Sequence, residues 1–243
     1  MEALSCIDIG NQQLKHGFFS TEGVLQKVEI VPSSESIQYI ESLPHSIPLC
    51  ISDVTGAIAS QESVWAGQGH TLFMPQPQSN WPFKVAYNSP QTLGIDRLCG
   101  LSGARFYNPE GPCLVISLGT CITIDWIDPN NLYHGGNISP GMTLRYRSMG
   151  TFTSSLPSLQ FKYEKDLLGS DTEKAIHAGV QRGIVAEIEY YIDQIRSNFP
   201  ETSLFLSGGD ATHFVDRIKT QIFAAPYLNL YGLYNAAQRN EII

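Results

Sequence analysis

A strand–turn–strand pattern that occurs twice is the feature of the sequence that most limits the possible folds. At residues 113–128, CLVISLGTCITIDWID, an apolar run ends at Gly119-Thr120 and a second run follows with polar residues interleaved. The N-terminal stretch LSCIDIGNQQLKHGFF repeats this arrangement around Gly10-Asn11. Apolar runs of this kind predict strands, and the glycine between them predicts a tight turn. Two copies about half a chain apart predict two similar lobes, each opening with a hairpin.

The two glycine turns also indicate a chemistry. A glycine lets the backbone approach a ligand closely, and a neighbouring threonine hydroxyl can donate a hydrogen bond to an anion. Two such turns can hold a polyphosphate from opposite sides. The alternative is an ordinary hairpin in a core sheet, which residues 113–128 favour when they are considered without the second copy.

Composition limits the classes of function. A chain of 243 residues is long enough for two compact lobes, and 42% hydrophobic with 16% charged residues is typical of a well-buried globular protein. The net charge of -8 argues against nucleic acid or an anionic membrane as the main partner.

The first residues, the longest apolar segments and the cysteines predict the location of the protein. The first residues, MEALSCIDIG, carry an acid where a signal peptide would be basic, and no segment approaches the roughly 20 apolar residues of a membrane span. The cysteines at 6, 50, 99, 113 and 121 lack the CxxC spacing of a metal site. We expect reduced, buried thiols in a cytoplasmic protein.

Periodicity predicts the remaining elements. Strands are expected at 24–31, 47–51 and 204–206, and helices over 33–43, capped by Ser33 or Ser34, from 95 onward, over 142–149, and from about 172 to 195. Residues 67–90 are rich in proline and aromatic residues, which predicts an irregular wall or lid, and 151–165 is expected to be a polar loop.

Four polar or glycine-rich sites could have a structural or a functional role. Asp96 is either a cap or a favourable charge near a helix start, with Arg97 an exposed partner, or it is a general base that accepts a hydroxyl proton. Residues 135–141, GGNISPG, predict two tight turns, and SGGD at 207–210 follows a strand as a nucleotide-binding edge would. Thr172 is predicted to cap a helix, with a hydroxyl that could also reach a ligand.

Six motifs, taken in order along the chain, resemble those of the type III pantothenate kinases. They are DIGN at 8–11, GIDR at 94–97, LGT at 118–120, GGNISPG at 135–141, DTEKAI at 171–176 and SGGDA at 207–211. The resemblance implies the actin-like α/β fold of the acetate and sugar kinases. It has two ribonuclease H-like lobes with mixed sheets flanked by helices, at residues 1–110 and 111–243.

The resemblance also implies an activity and partners. The family phosphorylates the primary hydroxyl of pantothenate with ATP and Mg2+, giving 4'-phosphopantothenate in the first step of coenzyme A synthesis, and works as a homodimer. The Walker A pattern GxxxxGK[ST] is absent from the sequence, so the phosphates would have to be held by other loops.

The resemblance assigns roles position by position. Asp8 would help to place the divalent metal, Asp96 would be the proton acceptor, and Thr120 would contact ATP from the second loop. The first phosphate-binding loop would consist of Asp8, Ile9, Gly10, Asn11, Gln12, Gln13, Leu14 and Lys15. Pantothenate would be held by Tyr87, Gly94, Ile95, Asp96, Arg97 and Thr172, the last from the partner subunit.

Two residues depart from the family pattern at the nucleotide end. The second loop usually reads DAGT, with an aspartate that binds a monovalent cation, and this chain has Ser117 there. A hydroxyl can coordinate K+ or NH4+ but supplies no charge. Gln12 stands where the first loop usually has a threonine. These departures motivate an alternative, a non-catalytic pantothenate-binding or regulatory relative. A kinase for another small alcohol is a third possibility.

Overall fold

The computed structural model describes residues 2–58 and 60–243 as a mixture of strands and helices. The strands are β1 (Glu2–Ile9), β2 (Gln13–Ser20), β3 (Leu25–Pro32), β4 (Leu49–Asp53), β5 (Leu72–Phe73), β6 (Lys84–Val85), β7 (Cys113–Leu118), β8 (Cys121–Ile127), β9 (Leu132–Pro140), β10 (Ser203–Ser207) and β11 (Phe223–Ala224). The α-helices are α1 (Ser36–Glu41), α2 (Glu62–Gly67), α3 (Ile95–Tyr107), α4 (Met142–Phe152), α5 (Thr172–Asn198) and α6 (Leu228–Arg239).

These elements form two compact units. The first comprises Met1–Glu110, Pro129–His134 and Tyr227–Ile243, and the second comprises Gly111–Asp128 and Gly135–Pro226. The C-terminal helix α6 therefore lies in the first unit, beside elements that precede it by more than half of the chain.

The first unit is built on a five-stranded mixed sheet with the strand order β3-β2-β1-β4-β5. Strands β1, β2 and β3 run antiparallel, whereas β4 and β5 extend the sheet in parallel from β1. The side chains that face the α1 and α2 side are fully or almost fully buried, among them Ile7, Ile9, Leu14, Leu49 and Ile51. This apolar packing fixes the β1–β2 hairpin in place.

Two glycines let α3 and α6 cross in close contact. A Cβ added at Gly103 would lie 2.1 Å from the carbonyl oxygen of Leu228, and one at Gly232 would lie 1.8 Å from that of Cys99. No side chain tolerates such an approach, so both positions need glycine. The crossing fixes the first turn of α6 relative to α3.

The second unit repeats the arrangement with the strand order β11-β10-β7-β8-β9, and in the first unit β6 pairs with the first residues of β9. The β7–β8 hairpin is antiparallel, and β10 pairs with β7 in parallel, as β4 does with β1. The long helix α5 buries Ile184, Ile188 and Ile192 at a spacing of four residues. The repeated hairpin and the apolar stripe predicted from the sequence are confirmed.

The helix predicted over 33–43 is shorter and is not capped as expected. Residues Ser33–Glu35 form a 3-10 turn before α1, and neither predicted cap makes a side-chain hydrogen bond to the helix start. The Ser33 hydroxyl instead donates to the carbonyl oxygen of Gly10 at 2.5 Å. The cap prediction was wrong because this serine binds the hairpin turn.

Two further local predictions were wrong. The segment at 135–141 does not form two tight turns, because β9 runs through it as far as Pro140. A Cβ at Gly136 would lie 2.0 Å from the carbonyl oxygen of Ile124, so this glycine permits close strand contact. Helix α5 is capped by Asp171, which accepts a hydrogen bond from the Lys174 amide at 2.9 Å, and not by Thr172.

The remaining predictions concern thiols and membranes. All five cysteines carry free thiols, and all except Cys121 are buried, as predicted. Over residues 2–58 and 60–243, no helix combines the length and the apolar character needed to cross a bilayer.

Candidate active site

The first glycine turn lies at the end of β1 and is tied down from one side. The Gly10 amide donates to the carbonyl oxygen of Gln13 at 3.0 Å, and the Ser33 amide donates to that of Gln12 at 3.1 Å. Asn11, Gln12 and Gln13 are exposed, whereas Ile9 and Leu14 are fully buried in the core. Of the predicted loop, the apolar members therefore anchor the hairpin, and the polar tip is open to a ligand.

Asp8 is held at both carboxylate oxygens. Its parallel partner on β4 is Ser52, whose hydroxyl donates to Oδ1 at 2.6 Å. Asn229 in the first turn of α6 donates its side-chain amide to Oδ2 at 3.1 Å. The carboxylate is half-buried beside the turn, and across the hairpin it pairs with Lys15. Sequence analysis missed Asn229, which follows Asp8 by 221 residues.

The start of α3 carries the second predicted group. Gly94 occupies the N-cap position, and Asp96 lies in the first turn, where its Oδ1 accepts a hydrogen bond from the Arg97 amide at 2.9 Å. A Cβ at Gly94 would lie 2.6 Å from that oxygen, so glycine leaves room for the carboxylate. Asp96 is thus not the cap residue, although its charge suits the positive end of a helix.

Asp8 and Asp96 both belong to the first unit. Helix α3, which carries Asp96 in its first turn, packs against β4, and Ser52 of β4 donates to Asp8. Burial raises the pKa of the Cys99 thiol on α3, and the carboxylates of Asp8 and Asp96 raise it further. The structure therefore places α3 beside the strand that supports the end of β1.

Arg97 faces the aromatic segment. Its guanidinium carbon lies 5.9 Å from the centroid of the Tyr87 ring, a cation–π distance. The Tyr87 ring is stacked on that of Tyr133 with an interplanar angle of 3°. Arg97 is 6% exposed, so the alternative of an exposed partner is wrong. Tyr87, Gly94, Ile95, Asp96 and Arg97 all lie in the first unit.

The second glycine turn joins β7 and β8 in the second unit, and two other glycine segments surround it. The Gly141 amide donates to the carbonyl oxygen of Thr120 at 3.0 Å, and a Cβ at Gly141 would lie 2.1 Å from that of Gly119. A Cβ at Gly208 would lie 2.2 Å from the carbonyl oxygen of Leu118. Gly141 and Gly208 were not among the predicted site residues, although the SPG and SGG motifs were the signals that could have identified them.

Ser117 occupies the position in β7 that Asp8 occupies in β1. It pairs with Thr123 on β8 and with Ser207 on β10, so three hydroxyl residues meet across neighbouring strands. Ser117 is half-buried. In the adjoining SGGD segment, burial raises the pKa of Asp210.

Comparison with known proteins decides the family. A family model described as type III pantothenate kinase matches residues 4–194. A type III pantothenate kinase of Phocaeicola vulgatus is 37% identical, with the match covering 97% of this chain and 98% of that protein. The chain belongs to the type III pantothenate kinase family.

Solved structures agree with the fold of this kinase family. A Baf family transcriptional activator from Campylobacter jejuni has a TM-score of 0.67 and 20% identity, covering 99% of this chain and all of that one. The activator of 2-hydroxyisocaproyl-CoA dehydratase from Clostridium difficile, with bound ADPNP, has a TM-score of 0.56 and 14% identity, covering 100% and 97%. At these identities the likeness shows the fold alone, and it confirms the predicted actin-like α/β fold with mixed sheets.

The donors present in this kinase suit a magnesium ion that arrives with a nucleotide. Within the described residues, no group of three or more His, Cys, Asp or Glu side chains is arranged to hold a metal. Mg2+ is commonly bound through one or two carboxylates together with substrate phosphates and water. The half-buried carboxylate of Asp8, beside the glycine turn, fits this mode of binding.

Thr172 is the remaining predicted site residue. It is the first residue of α5, it is exposed, and it lies in the second unit. Three large apolar side chains of the same unit are also highly exposed: Phe152 at 84%, Leu168 at 82% and Leu167 at 73%.

Proposed function

We propose that this chain transfers the γ-phosphoryl group of ATP to the primary hydroxyl of pantothenate, giving 4'-phosphopantothenate and ADP. One observation carries the proposal. The Asp8 turn and the start of α3, with Asp96, Arg97 and Tyr87, belong to one unit of a chain of this kinase family, and α3 packs against β4, whose Ser52 donates to Asp8. A phosphate loop and a group able to accept a hydroxyl proton are the two parts that such a transfer needs.

In the first unit, the nucleotide end of the proposed site is the glycine turn after β1, where the backbone amides of residues 8–15 would bind the phosphates of ATP. In the second unit, the Thr120 hydroxyl would contact ATP. Asp8 would hold Mg2+, which supplies charge neutralisation at the transferred phosphoryl group. Ser117 would offer a neutral hydroxyl oxygen to K+ or NH4+.

The acceptor end consists of Tyr87 and the start of α3. Arg97, a buried cation on the Tyr87 ring, would pair with the carboxylate of pantothenate. Asp96 would take the proton of the primary hydroxyl. The hydroxyl oxygen would bond to the γ-phosphorus while the bond between that phosphorus and the leaving oxygen of ADP breaks. Gly94 and Ile95 would also line the acceptor end of the site.

We further propose a homodimer in which Thr172 contacts the substrate of the partner subunit. Thr172 is exposed at the start of α5, and the second unit presents large apolar side chains at Phe152, Leu167 and Leu168. Exposed apolar groups of this size are typical of interfaces. The free, mostly buried thiols suit a cytoplasmic enzyme.

Coupled measurement of ADP release tests the proposal. We expect turnover with pantothenate and Mg-ATP, and a fall in kcat of about 10²- to 10⁴-fold for Asp96→Asn, the range for a lost general base. Glu62→Gln is the matched control, because Glu62 also lies in the first turn of a helix in the same unit. Full activity in Asp96→Asn would remove Asp96 from the mechanism.

The serine at position 117 favours a second candidate, a pantothenate-binding protein without catalysis. This candidate requires that pantothenate bind, as measured by calorimetry, while no ADP is released at any K+ concentration. Turnover of another small alcohol in a substrate panel, with none of pantothenate, would instead redirect the assignment to that alcohol.

A further inference from the structure

We propose that Asn229 is a positioning residue for Asp8, which it holds in the orientation needed to bind the nucleotide's divalent cation. The inference rests on the proposed function for the role of Asp8, but it concerns a residue of the C-terminal helix that none of the six sequence motifs includes. Asn229 acts through Asp8 and is not itself placed against the substrate.

The contacts fix both ends of one carboxylate. Ser52 donates to Oδ1 at 2.6 Å from the neighbouring strand, and Asn229 donates to Oδ2 at 3.1 Å from α6. A carboxylate that is bonded at one oxygen can still turn about its χ2 angle, whereas donors on both oxygens restrict that rotation. Each oxygen has a second lone pair, so the two hydrogen bonds leave acceptor capacity for a cation.

The backbone of α6 explains why Asn229 reaches Asp8. Its neighbour Leu228 is fully buried, and the Leu228 carbonyl lies where a Cβ of Gly103 would be, 2.1 Å away. One turn later, Gly232 makes the same kind of contact with the Cys99 carbonyl. These two close contacts hold the first turn of α6 against α3, so the Asn229 amide is delivered by a rigid support.

The position of Asn229 in its helix supports a polar role. Its neighbours Leu228 and Leu230 are buried and anchor the helix, while Asn229 is half-buried between them. Asparagine is a weak helix former, and leucine would suit an amphipathic helix better at this position. The hydrogen bond to Asp8 gives a reason for asparagine here.

Binding of Mn2+, an EPR-visible substitute for Mg2+, tests the proposal on the full chain. The non-hydrolysable analogue ADPNP is present and pantothenate is absent, so the readout does not depend on turnover. We expect Asn229→Leu to weaken Mn2+ binding about 10-fold, the lower end of the effect of outer-sphere residues on metal affinity. Asn229→Ala, which avoids a larger apolar side chain, is expected to give the same loss and covers the case in which Asn229→Leu does not fold.

Asn235→Leu is the matched control. Asn235 is also half-buried on α6, but its amide donates to the Ser102 carbonyl oxygen of α3 at 3.0 Å. This control is expected to lower the melting temperature and to keep wild-type Mn2+ affinity. An equal loss of Mn2+ affinity in Asn235→Leu would mean that any weakening of α6 is sufficient, and it would overturn the positioning role.

A double-mutant cycle with Asp8→Ala separates the two proposals. If Asn229 acts through Asp8, Asn229→Leu has no further effect on Mn2+ affinity once Asp8 is alanine. Wild-type Mn2+ binding by Asn229→Leu, with a clear loss in Asp8→Ala, overturns the role of Asn229 and leaves the proposed function intact. Conversely, a chain that shows the expected cycle but no ADP release with pantothenate fails the proposed function alone.

Discussion

The two hairpins of this kinase have the same strand arrangement but different side chains at matching positions. Aligned by register, Asp8 pairs with Lys15 in the first hairpin, and Ser117 pairs with Thr123 in the second. The base of the first turn therefore has two residues of opposite charge, and the base of the second has two hydroxyl residues. Under the proposed function, the first turn would bind a divalent cation through its carboxylate, and the second would offer neutral oxygen donors.

The supports of the two turns differ as well. The first turn is held by hydrogen bonds from Ser33. The second is enclosed by Gly141 and Gly208, where an added Cβ would overlap the carbonyl oxygens of Gly119 and Leu118, respectively. At the first turn, a Cβ added at Gly10 would lie 3.4 Å from the carbonyl oxygen of Gln13, which is an ordinary contact distance. The second depends on the absence of side chains, because backbone meets backbone.

Substitution of Asp8, the charged residue at the base of the first turn, is expected to reduce activity most. We expect Asp8→Ala to lower kcat by about 10²- to 10³-fold, as for removal of a preorganised electrostatic group, and Ser117→Ala to lower it far less. Coupled ADP release at saturating Mg-ATP measures both, with circular dichroism as the check on folding. Equal losses in the two variants would show that the hairpins contribute alike.

The next largest expected effect is the loss of stability when a side chain is added at Gly141. Gly141→Ala is expected to destabilise the protein by about 3 kcal/mol, the upper range for overpacking, because the new methyl group would meet two carbonyl oxygens. Gly119→Ala is the matched control in the same turn, since its nearest neighbour would be 3.9 Å away. Urea unfolding compares them, and similar midpoints would contradict the close packing.

Acid should affect the first hairpin through a histidine. His16 on β2 pairs with Ile7, and its counterpart on β8 is Ile124. Burial lowers the pKa of His16 from 6.5 to about 4. The unfolded chain therefore takes up a proton first, and stability is complete above pH 6.5 and falls as the pH drops toward 4. The expected loss between pH 6.5 and pH 5 is about 1.5 kcal/mol.

His16→Gln checks this expectation, because the slope of unfolding free energy against pH should become smaller in that window. A residual slope is expected from His70, whose pKa is also lowered by burial. An unchanged slope in His16→Gln would mean that this histidine does not cause the acid sensitivity.

The smallest expected effect is a change in the K+ response when the second turn receives the carboxylate that the first turn has. Ser117→Asp adds a carboxylate at a half-buried position, and about 1 kcal/mol of attraction for a cation corresponds to a roughly fivefold lower K+ concentration for half-maximal rate. Choline chloride at equal ionic strength is the control for screening. A K+ response identical to that of the wild type would exclude this position from cation binding.

Local pattern was a good guide where periodicity and turn chemistry agreed. Both hairpins, the buried strand β10 and the long helix α5 follow from apolar spacing. The pattern failed at residues 135–141, where glycine and proline predicted turns. There the glycine serves the close approach of β9 to β8, a use that local sequence cannot distinguish from a turn.

Some residues of the candidate site belong to local motifs, and others reach it only through tertiary packing. Gly94, Asp96 and Arg97 belong to one motif, so the resemblance could name them together as candidates, and the structure places them at the start of α3. Asn229 could not, because 221 residues separate it from the carboxylate that it contacts. Gly141 and Gly208 had visible motifs, but only the packing of α4 and the segment after β10 against the β7–β8 turn gives those motifs a location.

By itself, the sequence determined the two hairpins, their glycine turns, the family, and the contrast between Asp8 and Ser117, because all of these depend on neighbours in the chain or on motif order. The tertiary structure alone decided which distant groups support the turns. The crossing of α3 and α6 brings Asn229 to Asp8, and the start of α4 brings Gly141 to the second turn. Such contacts depend on how whole elements pack, and packing is set by the combined shape of many buried side chains.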